Sequence, residues 1–142
     1  MTHYDSLLKM FESEIRSSLG YLEHSHNKIQ ALSTDPSKLN ADTLETWESY
    51  VARFARVTDI FLSKYIRSYI LHLDPAFRAE LRDFVDKAEK NNLISSADRW
   101  MEVRELRNKT AHEYSRSELK RTFESVKDVV PFVVLELRKL FP

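Results

Sequence analysis

The strongest structural signal in this chain lies in residues 47–69, which read WESYVARFARVTDIFLSKYIRSY. Large apolar side chains recur there every three or four residues, the spacing that places them along one side of an α-helix. Asp74-Pro75 then ends the pattern, because the residue before a proline avoids the helical region. We therefore predict one long helix over about 40–73. The side chains expected to face the core are Trp47, Tyr50, Val51, Phe54, Thr58, Phe61, Leu62, Tyr65 and Tyr69.

The composition extends the helical interpretation to the whole chain. One glycine and four prolines in 142 residues are too few for the many turns of a β-rich fold. The same three- and four-residue spacing predicts further helices over about 4–32, 75–90, 95–111 and 115–141. The sequence thus predicts an all-α fold, an antiparallel up-and-down bundle of about five helices that forms a single domain over residues 1–142.

Several classes of protein and site are disfavoured. The absence of cysteine excludes disulfides and thiolate metal sites, and the sequence contains no carboxylate cluster or glycine-rich phosphate loop. We therefore expect no metal and no cofactor. The N-terminus lacks the pattern of a signal peptide, and no apolar run is long enough to span a membrane. The expected location is the cytoplasm, without a membrane partner. A net charge of zero argues against a partner held by bulk electrostatics alone.

A charged residue interrupts the apolar side of the predicted fourth helix. At 3.6 residues per turn, Arg107 falls in the middle of an otherwise apolar arc. A guanidinium does not lose its proton, so on such an arc it must find acceptors or face an interface or a cleft. Pairing with a core carboxylate and service in a functional site are both open interpretations. The other members of the arc are Trp100, Val103, Thr110, Ala111 and Tyr114.

The string Arg107-Asn108-x-x-x-His112-x-Tyr114 resembles the signature of the HEPN family (higher eukaryotes and prokaryotes nucleotide-binding). That signature is an arginine, a polar residue that is often asparagine, three further positions and a histidine. Many prokaryotic members carry a tyrosine two residues after the histidine, which Tyr114 matches. Family members are short up-and-down helical bundles with the motif late in the chain and a long helix after it. The resemblance therefore covers essentially the whole sequence.

The resemblance implies one of two activities. Many HEPN proteins are metal-independent endoribonucleases, often toxins paired with a nucleotidyltransferase antitoxin. Others are nucleotide-binding or nucleotidyltransferase substrate-binding subunits without nuclease activity. In the paired systems the antitoxin can attach AMP to the tyrosine after the histidine, which silences the toxin. The resemblance thus implies that Arg107, Asn108 and His112 are catalytic and that Tyr114 is a modification site, with RNA and a cognate nucleotidyltransferase as partners.

The chemistry of RNA cleavage suits these residue types. Cleavage without a metal needs a base for the 2′-hydroxyl proton, an acid for the 5′-oxygen and a cation at the phosphorane. His112 can act as base or acid, but one imidazole does not readily serve both roles within one step. A two-fold axis beside the motif would bring two copies together. We therefore expect a homodimer, all the more because Arg107 has no evident partner in the nearby sequence. Asn108 either orients His112, binds phosphate or closes the helix end.

Basic residues outside the motif are weaker candidates for phosphate or RNA binding. Arg104 and Lys109 flank the motif, while Arg53 and Arg56 lie opposite the apolar stripe of the second helix, together with Lys64 and Arg67. This second group predicts either a ridge that follows an RNA backbone or an ordinary solvated face.

Overall fold

The computed structural model describes residues 3–112 and 115–142, and all regular structure in those residues is helical. This confirms the predicted all-α bundle. None of the described helices is long and apolar enough to cross a membrane. The elements are α1 (His3–Ile29), a 3₁₀ turn (Pro36–Lys38), α2 (Ala41–Asp59), a π-helical segment (Ile60–Ile66), α3 (Arg67–Leu73), α4 (Leu81–Lys90), α5 (Ala97–Lys109) and α6 (Arg116–Leu140).

The predicted second helix is one continuous rod, in which the π-helical segment joins α2 to α3. Ile60 and Ile66 at its two ends both keep right-handed helical dihedral angles. On a regular α-helix Ile66 and Ile70 would lie about 100° and about 140° around the axis from Trp47. A π-helix holds more residues per turn, because its hydrogen bonds run from i to i+5. The segment therefore rotates Ile66 and Ile70 into the core, where both are buried, and leaves the predicted core residue Tyr69 only partly buried.

Contacts between side chains show that α1 lies antiparallel to this rod. As the residue number rises along α1, that of its partner falls, through Asp5 with His72, Phe11 with Lys64 and His26 with Tyr50. The last pair joins His26 Nδ1 to the Tyr50 hydroxyl at 2.8 Å.

A buried carboxylate fixes the beginning of α5. Glu136 on α6 accepts hydrogen bonds from the Ser95 backbone N–H, the Ser95 hydroxyl and Trp100 Nε1, at 2.9, 2.8 and 3.2 Å. Burial opposes ionisation of Glu136, but these hydrogen bonds outweigh it and lower the pKa of Glu136 below its ordinary value of 4.5. The Trp100 ring also packs 4.8 Å from Phe61 and 5.5 Å from Phe132, centroid to centroid. α5 is thereby held against the π-helical segment and α6, which determines where its later turns lie.

One predicted helix start differs from the structure and another agrees with it. The prediction that the third helix begins at Pro75 was wrong: α4 begins at Leu81. The intervening chain makes a turn, in which the Phe77 N–H donates to the Asp74 carbonyl at 3.0 Å. By contrast, α6 begins as predicted, since the Ser115 hydroxyl accepts the Glu118 N–H at 3.4 Å.

Candidate functional site

Arg107 lies near the end of α5 and reaches across to the last residue of α2. Its Nε donates to Asp59 Oδ1 at 2.7 Å and its Nη2 donates to Asp59 Oδ2 at 2.8 Å. The hydrogen bonds to Asp59 raise the pKa of Arg107 above its ordinary value. Arg107 therefore does pair with a carboxylate, but with a half-exposed one at the end of α2 and not with one in the core. The expectation that Arg107 lacks a partner was wrong, and this removes one of the two reasons for predicting a dimer.

Arg107 stands at the seam between two adjoining hollows, which together we call the cleft. The α1-side hollow has a volume of about 650 Å³ and the α6-side hollow about 420 Å³. Both are lined by Ala52, Ala55 and Arg107, so the small alanine side chains of α2 leave room beside the guanidinium. Glu14, Arg56, Asp59, Ile60 and Lys64 complete the α1-side hollow.

His112 lines the α6-side hollow together with Arg107. The chain brings it there by continuing to coil after α5 ends at Lys109. The His112 N–H donates to the Lys109 carbonyl at 3.3 Å, and the Thr110 hydroxyl donates to the Arg107 carbonyl at 2.6 Å. His112 is exposed and thus borders the same space as the arginine five positions earlier. Glu48 on α2 and Phe123 on α6 also line this hollow.

Asn108 does not line the cleft with Arg107 and His112. Asn108 lines a different hollow, on the outer face of α5, and shares it with Arg104. Adjacent residues on an α-helix point about 100° apart, so Asn108 cannot follow Arg107 into the cleft. Lys109 is exposed at the end of α5. The structure therefore brings His112 together with Arg107, and does not bring Asn108 or Arg104 to them. Tyr114, the predicted modification site, lies outside the described residues 3–112 and 115–142.

The predicted basic ridge on the second helix divides between two faces. Arg53 turns toward α1, where its Nη1 donates to Ser25 Oγ at 2.6 Å and to the Tyr21 carbonyl at 3.1 Å. Its role is to tie α1 to α2. Arg56 is exposed and lines the α1-side hollow beside Lys64. Of the two arginines proposed on this helix for RNA binding, only Arg56 therefore lies at the cleft.

Asp59 is the site residue that the motif did not reveal. One signal in the sequence could have found it, because Asp59 is the only acidic residue among the four basic ones of residues 53–73. The negative charge of Asp59 partly offsets the positive charges of Arg56 and Arg107 in the α1-side hollow. The same hollow also contains one further acidic residue, Glu14, and one further basic residue, Lys64. The α1-side hollow thus carries three basic and two acidic side chains, a small positive excess that suits a single phosphate group.

No group of three or more ligating side chains in residues 3–112 and 115–142 is arranged to hold a metal ion. Comparison with known families finds no family model that matches this chain, and no curated protein matches it either.

Proposed function

We propose that this chain is a HEPN-type endoribonuclease that cleaves RNA without a metal ion, and that it acts in the cytoplasm as the toxin of a toxin–antitoxin pair. The observation that carries the proposal is that Arg107 and His112 line one hollow, with Arg107 held by a carboxylate. An arginine and a histidine that face a common space supply the phosphate-binding cation and the proton-transfer group of this reaction. The two hollows on either side of Arg107 leave space for the nucleosides that flank one phosphate.

The reaction follows from the roles of these two side chains. A neutral imidazole takes the 2′-hydroxyl proton as the 2′-oxygen attacks the phosphorus. The bond from phosphorus to the 5′-oxygen breaks, and an imidazolium gives its proton to that oxygen. The products are a 2′,3′-cyclic phosphate and a free 5′-hydroxyl. N–H groups of Arg107 stabilise the charge that develops on the phosphoryl oxygens.

The need for a base and an acid in the same step is the remaining reason to propose a homodimer. A two-fold axis next to the C-terminal end of α5 would place His112 of each copy at one composite site. The exposure of His112 leaves it accessible to such an arrangement.

The direct test is to incubate the purified chain with a labelled single-stranded RNA in the presence of EDTA. We expect cleavage to continue at an unchanged rate, with cyclic phosphate at the new 3′ end, because both proton transfers and the charge stabilisation come from side chains. Mass spectrometry of the fragments identifies that end. Loss of cleavage on chelation, restored by a divalent ion, would show that the mechanism is wrong. A chain that binds a nucleotide but cleaves no RNA would instead match the binding subunits that the motif also resembles.

The proposed antitoxin is a nucleotidyltransferase that attaches AMP to Tyr114. A phosphate two residues after His112 would compete with the RNA phosphate for Arg107, so that silencing would need no change of fold. We expect co-expression with an adjacent nucleotidyltransferase to add mass in multiples of one AMP, measured on the intact chain, and Tyr114→Phe to remove the addition. If the chain is neutralised while its mass is unchanged, the antitoxin acts by binding and Tyr114 has no such role.

A further inference from the structure

We propose that Asp59 is a positioning residue, which fixes the guanidinium of Arg107 at the seam of the cleft so that its remaining N–H groups bind a phosphate of single-stranded RNA. The inference rests on the proposed function for the identity of the ligand. Its geometric basis is the two-point contact of 2.7 and 2.8 Å between the side chains.

The contact occupies two of the five N–H donors of the guanidinium. Arginine has five N–H donors in a planar fork. Asp59 engages the side of that fork, through Nε and Nη2. The end of the fork, formed by Nη1 and the second hydrogen of Nη2, points away from the carboxylate. A phosphate can therefore bind Arg107 end-on while Asp59 stays in place, and two parallel bonds to Asp59 set the plane in which it binds.

Asp59 is well placed for this role because it stands on rigid backbone. It is the last residue of α2, it has dihedral angles of −63° and −45°, and the π-helical segment follows it without a break. The residues on both sides of it, Thr58 and Ile60, are buried. A short carboxylate side chain on such backbone has little freedom, so it restricts the long arginine side chain that binds it.

The opposite role for Asp59 is a mask, in which the carboxylate occupies the place of the phosphate and must leave before RNA binds. Two observations favour positioning. The pair uses the side of the guanidinium and not its end, and Arg56 and Lys64 in the same hollow offset the negative charge that a phosphate would meet. The two roles predict opposite changes in affinity when the carboxylate is removed.

The experiment measures binding of a fully 2′-O-methylated RNA oligonucleotide, which lacks the attacking hydroxyl and is not cleaved. We expect Asp59→Asn to weaken binding about tenfold, because its amide replaces one acceptor oxygen by a donor that repels the Arg107 N–H. The matched control is Asp42→Asn, which removes the same charge from the exposed first turn of α2. It should bind as the wild type does, and thermal melting should be similar for all variants.

A double substitution separates positioning from other roles. On an Arg107→Ala background, Asp59→Asn should change binding no further, because Asp59 acts through Arg107. Equal or tighter binding by Asp59→Asn, or additive losses in the double variant, would overturn the proposal, and so would a wild-type chain that does not bind the oligonucleotide. A chain that shows these binding losses but cleaves no unmodified RNA would overturn the nuclease function and leave the positioning role standing.

Discussion

Alanine at either Arg107 or His112 is expected to abolish RNA cleavage by the purified chain and to relieve any slowing of growth that its expression causes. Loss of a general acid or base lowers a rate by about 10²–10⁴-fold, and loss of a preorganised charge-stabilising donor by about 10²–10³-fold. Either loss is large because each side chain supplies a separate part of the proposed reaction, His112 the proton transfer and Arg107 the charge stabilisation. Initial cleavage rates on a labelled RNA, with growth curves after induction, measure the two effects.

The fold should survive both substitutions. His112 is exposed, and Arg107 pairs with a carboxylate whose side chain is 46% exposed. The Arg107 side chain is 25% exposed, and such a partly exposed pair contributes about 1 kcal/mol to the free energy of unfolding. His24→Ala is the matched control, because it removes an exposed histidine from α1 and should cleave as the wild type does. If His112→Ala retains the wild-type rate while His24→Ala does not, the proton-transfer role has been given to the wrong residue.

The second large effect is expected when wild-type and His112→Ala chains are mixed and allowed to exchange partners. If each composite site needs two imidazoles on a two-fold axis, only dimers of two wild-type chains are active. An equal mixture should then retain about a quarter of the activity of the same total amount of wild-type chain, since that fraction of random dimers is fully wild-type. The measurement is the cleavage rate after co-refolding, plotted against the fraction of wild-type chain.

The shape of that plot is the decisive result. A quadratic dependence supports the composite site, whereas a straight line, with half the activity remaining, would show that each chain works alone. Exchange with His24→Ala chains should leave the rate unchanged at every ratio. Sedimentation equilibrium at micromolar concentration provides an independent measurement, and a monomer there would contradict the dimer.

The helices and their caps were predictable from the sequence because they depend on neighbours a few residues apart. The apolar spacing of residues 47–69 predicts a helix, and most of the side chains assigned to the core are buried. Ser96 and Ser115 accept backbone N–H groups three residues later, as their positions before helical stretches suggest. The same locality explains the site, since Arg107 and His112 are close in sequence and the coil after α5 carries His112 to the hollow that Arg107 lines.

A prediction that assumes a single helical period does not identify the π-helical segment. A period of 3.6 residues per turn predicts that Tyr69 faces the core, whereas the buried residue is Ile70. After Phe61 the apolar residues no longer lie on the same side of a regular α-helix, and the wider π-helical turn returns them to the side that faces the core. The wider turn depends on the other helices that pack on this rod. The spacing therefore indicates a helix but does not specify which of its later residues face the core.

By itself, the sequence determined an all-helical bundle, with Arg107 and His112 near the end of a late helix. Tertiary structure alone decided which charges meet. Asp59 and Arg107 are 48 positions apart, and they pair because α5 packs beside the end of α2. The packing of α1 on α2 brings Arg53 to Ser25, whereas Arg56, three residues later, lines the cleft. Periodicity predicts on which side of its own helix a residue lies. The partner of a charged side chain depends on where a second helix crosses that helix.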